Sequence, residues 1–234
     1  MPYSTVIFDL YLTLASGYSF TEHERIVAQM AGVLHAPDPA AFTQLFSHET
    51  WPDRGTGRVP TIRANIEAIF QRLGWPVEPE RVTEAVRLRY EFSAKALAPL
   101  PGALEALEAV RARGYRTGLI SDCSEETPLH WERTPFAPLF EVAVFSCEVG
   151  MLKPDPGIYA IACERLSVEP GACLYIGDRE EELVGARDAG MRAIMSLPPH
   201  QDTYEARDMN RPTWDGPIIS SVAALPALLD TLRA

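Results

Sequence analysis

Short apolar runs alternating with helix-length segments dominate the second half of the chain. RTGLIS at 116–121, EVAVFS at 141–146, CLYIGD at 173–178 and RAIMSL at 192–197 read as buried strands, with PIISS at 217–221 a weaker one. Helical patterns at 103–113, 156–167 and 182–189 lie among them, and the stretch between the first two strands is helix-poor. Parallel strands need crossovers of about helix length, and those crossovers fold back with one hand. The pattern therefore predicts an α/β fold, a doubly wound parallel sheet of the Rossmann-like kind. Ligands in such sheets sit beyond the carboxyl ends of the strands, where Ser121 and Asp178 fall.

The first strand is earlier, at Val6-Ile7-Phe8, and Asp9 stands where it must stop. An aspartate there can merely cap a turn. It can also be a nucleophile or metal ligand held at the sheet edge. Strand signals then cease, and helices are expected at 21–35, 39–50, 60–73 and 78–97, with Thr21 and Glu24 as a capping box for the first. WPDRGTGRVP at 51–60 reads as a loop, and LAPLPG at 97–102 ends the helical stretch. The implied organisation is a core of residues 1–15 and 98–234 interrupted by a helical insert at 16–97. Residues 198–216 read as a long surface loop.

The formal charge of -11 argues against sequence-independent nucleic-acid binding, which needs a basic footprint. A small anionic substrate remains compatible, because a local field can oppose the net charge. No apolar run is long enough to span a membrane, and no basic and apolar leader opens the chain. The four cysteines lack metal-ligand spacing and read as reduced thiols, so a cytoplasmic location is expected. A monomer or a homodimer is expected.

Four pieces line up in order: FDLYLTL, LISDCS, VGMLKPDP and YIGDREEELVGARDAGM. Together they resemble the haloacid dehalogenase-like hydrolase superfamily over the whole chain, with the helical insert as its cap. The resemblance implies that Asp9 attacks the substrate and forms a covalent intermediate that water hydrolyses. It implies Mg²⁺ held by Asp9, the main-chain carbonyl of Tyr11 and Asp178, with Glu182 orienting metal-bound water. Ser121 would hydrogen-bond the transferring group, Lys153 would pair with Asp9, and Thr13 and Asp122 would contact substrate. A small phosphate monoester is the implied substrate.

Tyr11 departs from the family pattern, which has a second aspartate there as general acid. Such an acid contributes about 10²- to 10⁴-fold, so either the rate is poor or the leaving group needs no strong acid. A tyrosine also occurs here in the metal-independent 2-haloacid dehalogenases of the superfamily, which makes that activity the first alternative. Asp178, which those dehalogenases replace, points back to metal-dependent chemistry. A non-catalytic binding protein is the second alternative. Arg54 and Arg58 lie in the glycine-containing cap loop of an acidic chain; they can be simply solvated, or they can give a bidentate grip on a second anionic group of the substrate.

Overall fold

Six parallel strands form one sheet in the order β3-β2-β1-β4-β5-β6. They are β1 (Thr5–Phe8), β2 (Arg116–Ser121), β3 (Val142–Phe145), β4 (Cys173–Gly177), β5 (Arg192–Ser196) and β6 (Ile218–Ile219). This computed structural model describes residues 3–15, 19–197 and 213–233. Most of the surface loop expected at 198–216 lies outside the described residues.

β1 lies at the centre, with Phe8 in register with Leu119 of β2 on one side and Ile176 of β4 on the other. Helices cover both faces, which is why the strands are apolar without interruption. Successive side chains point to opposite faces. Val6 and Phe8 accordingly join one core with Leu119 and Ile176, and Ile7 joins a second with Ile120 and Tyr175. The first face is covered by α6 (Ala103–Ala112) and α11 (Leu225–Arg233), the second by α9 (Pro156–Leu166) and α10 (Glu180–Asp188). The chain leaves β1 towards β2 and later enters β4 on the other side, so Asp9 stands at the point where the winding reverses. That crevice is where this architecture places ligands.

The segment between β1 and β2 carries α1 (Phe20–Val33), α2 (Pro39–Gln44), a π-helical turn at Leu45–Glu49, α3 (Trp51–Gly55), α4 (Ile62–Leu73) and α5 (Pro79–Ala96). These helices bury a separate core that includes Val27, Met30, Phe42, Phe46, Ile66, Phe70 and Val82. No described helix is long and apolar enough to cross a membrane.

Three local expectations change. α1 begins earlier, because Ser19 is extended (φ -112°, ψ 134°) and its side chain accepts the Glu22 amide at 3.2 Å, replacing the expected Thr21 and Glu24 box. The first half of WPDRGTGRVP is the helix α3, and Pro52 suits its first turn because a proline there forfeits no helical hydrogen bond. The helix-poor stretch after β2 holds α7 (Glu126–Trp131), and a short α8 (Ser146–Val149) follows β3.

Candidate active site

Asp9 follows the last residue of the central strand, and its amide donates to the Ile176 carbonyl at 2.8 Å, so the β1–β4 ladder fixes its backbone. A tight turn follows in which Leu12 takes a left-handed conformation (φ 66°) and the Leu14 amide bonds the Leu10 carbonyl at 2.9 Å. A bulky residue at positive φ carries strain, which tends to collect at functional sites. Asp9 is 5% exposed and opens on a cavity of about 460 Å³ between sheet edge and helical insert. The floor includes Tyr11, Asp122, Asp178 and Glu182; the roof includes His23, Trp51, Arg54, Arg89 and Phe92.

Lys153 backs this floor. Its Nζ lies 2.5 Å from Asp9 Oδ1 and 2.7 Å from Glu182 Oε2, and its own amide donates to Asp122 Oδ1 at 3.0 Å. Burial works against the lysine charge, but Asp9 and Glu182 outweigh it and hold the pKa well above the usual range. Burial pushes the Glu182 carboxyl up to about 7 against the pull of Lys153, and burial raises Asp122 as well. Three carboxyl groups, of Asp9, Glu182 and Asp122, thus share one buried lysine.

Glu182 also accepts from the Tyr175 hydroxyl at 3.2 Å. It thus anchors the lysine, which its expected role as an organiser of metal-bound water did not include. Thr13 is fully buried and donates to Asp178 Oδ1 at 3.4 Å. It orients that carboxylate from behind and is not part of the cavity lining. Ser121 ends β2 fully buried, with no hydrogen-bond partner for its hydroxyl, and it too is not a lining residue. An unsatisfied buried hydroxyl costs about 1–3 kcal/mol. Asp122 lines the cavity while holding the Lys153 backbone.

The two cap-loop arginines separate. Arg54 is 2% exposed, lines the cavity, packs over the Phe46 ring at 4.3 Å and donates from NH1 to the Phe46 carbonyl and the Thr50 hydroxyl. Arg58 is exposed, pairs with Asp53 at 2.7 Å and does not line the cavity, which removes the expected substrate contact for that residue.

Sequence reasoning missed a polar layer between insert and sheet core. Arg89 of α5 bonds Glu126 of α7 at 2.6 Å and His23 Nδ1 at 3.0 Å, and Tyr11 shares a hydrogen bond of 2.9 Å with Thr127. Burial outweighs the phenol's bond to Thr127 and raises the Tyr11 pKa. A signal was readable: Arg89 falls on the same face of α5 as Val82, Ala85, Phe92 and Ala96, all buried.

Asp9 and Asp178 line one cavity, and a main-chain carbonyl at Tyr11 lies between them in sequence. Carboxylate and carbonyl oxygens suit a hard divalent cation. Among the described residues no three His, Cys, Asp or Glu side chains form a metal-ready cluster. A cation would therefore rest on these two carboxylates, the carbonyl and water.

A doubly wound sheet with an aspartate at its central switch point, a lysine bound to it and a helical insert roofing both defines an aspartate-centred α/β hydrolase. Residues 3–190 match the haloacid dehalogenase-like hydrolase family, so the chain belongs to it. It is 29% identical over 156 residues to a glyceraldehyde 3-phosphate phosphatase of Methanopyrus kandleri, a match covering 64% of this chain and 66% of that protein. It is 28% identical over 235 residues to the pyrimidine 5'-nucleotidase YjjG of Escherichia coli, covering 98% and 99% of the two chains. The structure is similar to the 2-haloacid dehalogenase of Pseudomonas syringae with a TM-score of 0.71 at 20% identity, covering 98% and 99%. The fold and the hydrolase class are thereby established.

Proposed function

We propose that this hydrolase is a Mg²⁺-dependent phosphatase of small phosphate monoesters, with Asp9 as nucleophile. The observation that carries the reading is the Lys153–Asp9 pair of 2.5 Å at the cavity floor, with Asp178 on the same cavity. Both sequence relatives named above are phosphatases by name, which supports a phosphate ester over a carbon–halogen bond. The division into a core of 1–15 and 98–234 and a cap of 16–97 is part of the proposal, supported by the separate core of the insert.

Lys153 pairs with Asp9 and offsets charge as an anionic group approaches. The buried, unsatisfied Ser121 hydroxyl is suited to bond a phosphoryl oxygen. Asp9 attacks phosphorus, the ester oxygen leaves, and water then releases phosphate from the aspartyl intermediate. Asp9, Asp178 and the Tyr11 main-chain carbonyl would hold Mg²⁺, which would neutralise charge between nucleophile and phosphoryl group. The insert excludes bulk water from the reacting centre.

A 2-haloacid dehalogenase is the second reading, and Tyr11 in place of the acid favours it. A phosphate-ester screen with and without Mg²⁺, run beside a halide-release assay, separates the two. Phosphate release abolished by a chelator is expected. Halide release indifferent to chelator would overturn the proposal.

A further inference from the structure

The roof of the cavity is ringed by aromatic side chains from three elements. Phe20 opens α1, Trp51 opens α3 and Phe92 lies in the last turns of α5, and all three line the cavity. The cations among them already hold the roof together. Arg54 NH1 bonds the Phe46 carbonyl and Thr50, and the Arg54 guanidinium lies 5.8 Å from the Trp51 ring centre. Arg89 bonds Glu126 and His23 and lies 5.2 Å from the Phe92 ring centre. Such a surface offers a leaving group stacking and apolar contact.

The floor supplies the second observation. The side chain two residues after the nucleophile is a phenol, with its hydroxyl at 2.9 Å from Thr127, where a carboxylic acid would protonate the departing oxygen. The other lining carboxyls are engaged: Glu126 by the Arg89 side chain, Glu182 by the Lys153 ammonium, Asp122 by the Lys153 amide and Asp178 by the Thr13 hydroxyl. Two imidazoles also line the cavity, His23, which bonds Arg89, and His48.

Resting on the phosphatase reading, we infer that the substrate is a phosphate ester of an aromatic or enolic hydroxyl, its planar leaving group seated against Phe20, Trp51 and Phe92 and departing without a carboxylic acid to protonate it. As Asp9 oxygen bonds to phosphorus, the bond from phosphorus to the ester oxygen breaks and the electron pair leaves on that oxygen. A phenol has a pKa near ~10, so its anion is a competent leaving group and takes its proton from water afterwards. An aliphatic alcohol is a far weaker acid than a phenol, so its alkoxide leaves poorly and needs the missing acid.

The test is a series of substituted phenyl phosphates, cyclohexyl phosphate and glycerol phosphate, assayed on the full chain with Mg²⁺. Phenyl phosphate should exceed cyclohexyl phosphate in kcat/KM by about 100-fold or more, the low end of what a general acid supplies. Within the phenyl series the rate should fall steeply as leaving-group pKa rises. Trp51→Leu should raise KM for phenyl phosphate about tenfold more than KM for glycerol phosphate, the loss of one aromatic contact. Aryl and alkyl esters cleaved at similar rates would overturn the inference alone. If that flat dependence turns steep in His48→Asn, His48 is the acid and the inference is equally wrong. A KM shift in Trp51→Leu that is equal for both esters, or absent, removes the ring contact and overturns it too. No cleavage of any ester would overturn the phosphatase reading and the inference together.

Discussion

Arg89 of the helical insert and Glu126 of the sheet core form an ion pair sealed between the two, Nε to Oε1 at 2.6 Å with side chains 8% and 2% exposed. Arg89 outweighs the burial of Glu126 and keeps its pKa below the usual value. Removing one partner of a buried pair leaves a stranded charge and costs about 3–5 kcal/mol, whereas removing both can be neutral. Arg89→Met should therefore destabilise the protein by several kcal/mol, and adding Glu126→Met should recover most of the loss. Denaturant unfolding of the two single variants and the double variant measures this cycle.

His23 predicts a pH dependence. Burial, then the neighbouring Arg89, lowers its pKa from 6.5 to about 3, so the folded protein keeps it neutral while the unfolded chain protonates it near 6.5. The unfolded state binds the extra proton below that value, so stability contributed by neutral His23 is present above pH 6.5 and is lost as pH falls towards about 3. Its share of the loss by pH ~5 is about 2 kcal/mol. Unfolding free energies of His23→Gln, measured across this range, should show a flatter profile than the parent.

Gly57 sits where the loop after α3 presses on the sheet core. Its φ is +70°, and a Cβ built there would lie 2.0 Å from the Cys147 carbonyl oxygen. Gly57→Ala must push the loop off that contact as well as strain its backbone. It should cost at least ~1 kcal/mol in stability. It should also raise KM, because Trp51 and Arg54 of the roof lie just before this loop. Unfolding titration and steady-state kinetics on the same variant read both effects.

Tyr11→Asp places a carboxyl where the family pattern has one. Turnover of esters with poor leaving groups should rise relative to good ones, so the dependence of rate on leaving-group pKa becomes shallower. The check is that ratio, since replacing a buried phenol also loosens packing and lowers both rates together. An unchanged ratio would mean the new carboxyl does not reach the leaving oxygen.

The sheet was legible because parallel strands buried on both faces are unbroken apolar runs, and Asp9, Asp178 and Ser121 fall at or just beyond their ends. Lys153 was legible only through its motif, since nothing local brings a loop lysine to Asp9 across the intervening chain. Which acid serves which partner was not legible. Glu182 turns to Lys153 because α10 starts at Glu180, two residues earlier than its pattern suggested, and places that carboxyl over the lysine. Arg54 and Arg58 look equivalent in sequence. α3 ends between them, so one points into the insert and the other into solvent. The Arg89–Glu126 pair joins two helices from different layers, and no periodicity within either names its partner.

The covalent role of Asp9 is tested most directly by acid-quenching the enzyme during turnover of its best ester, carrying radiolabelled phosphate, and mapping the label. Label is expected on the peptide containing Asp9, freed as phosphate by hydroxylamine as an acyl phosphate linkage requires, and absent from Asp9→Asn, which should also lose turnover while unfolding at nearly the parent temperature. Steady-state phosphate release with no label on that peptide, or near-normal turnover by Asp9→Asn, would contradict it.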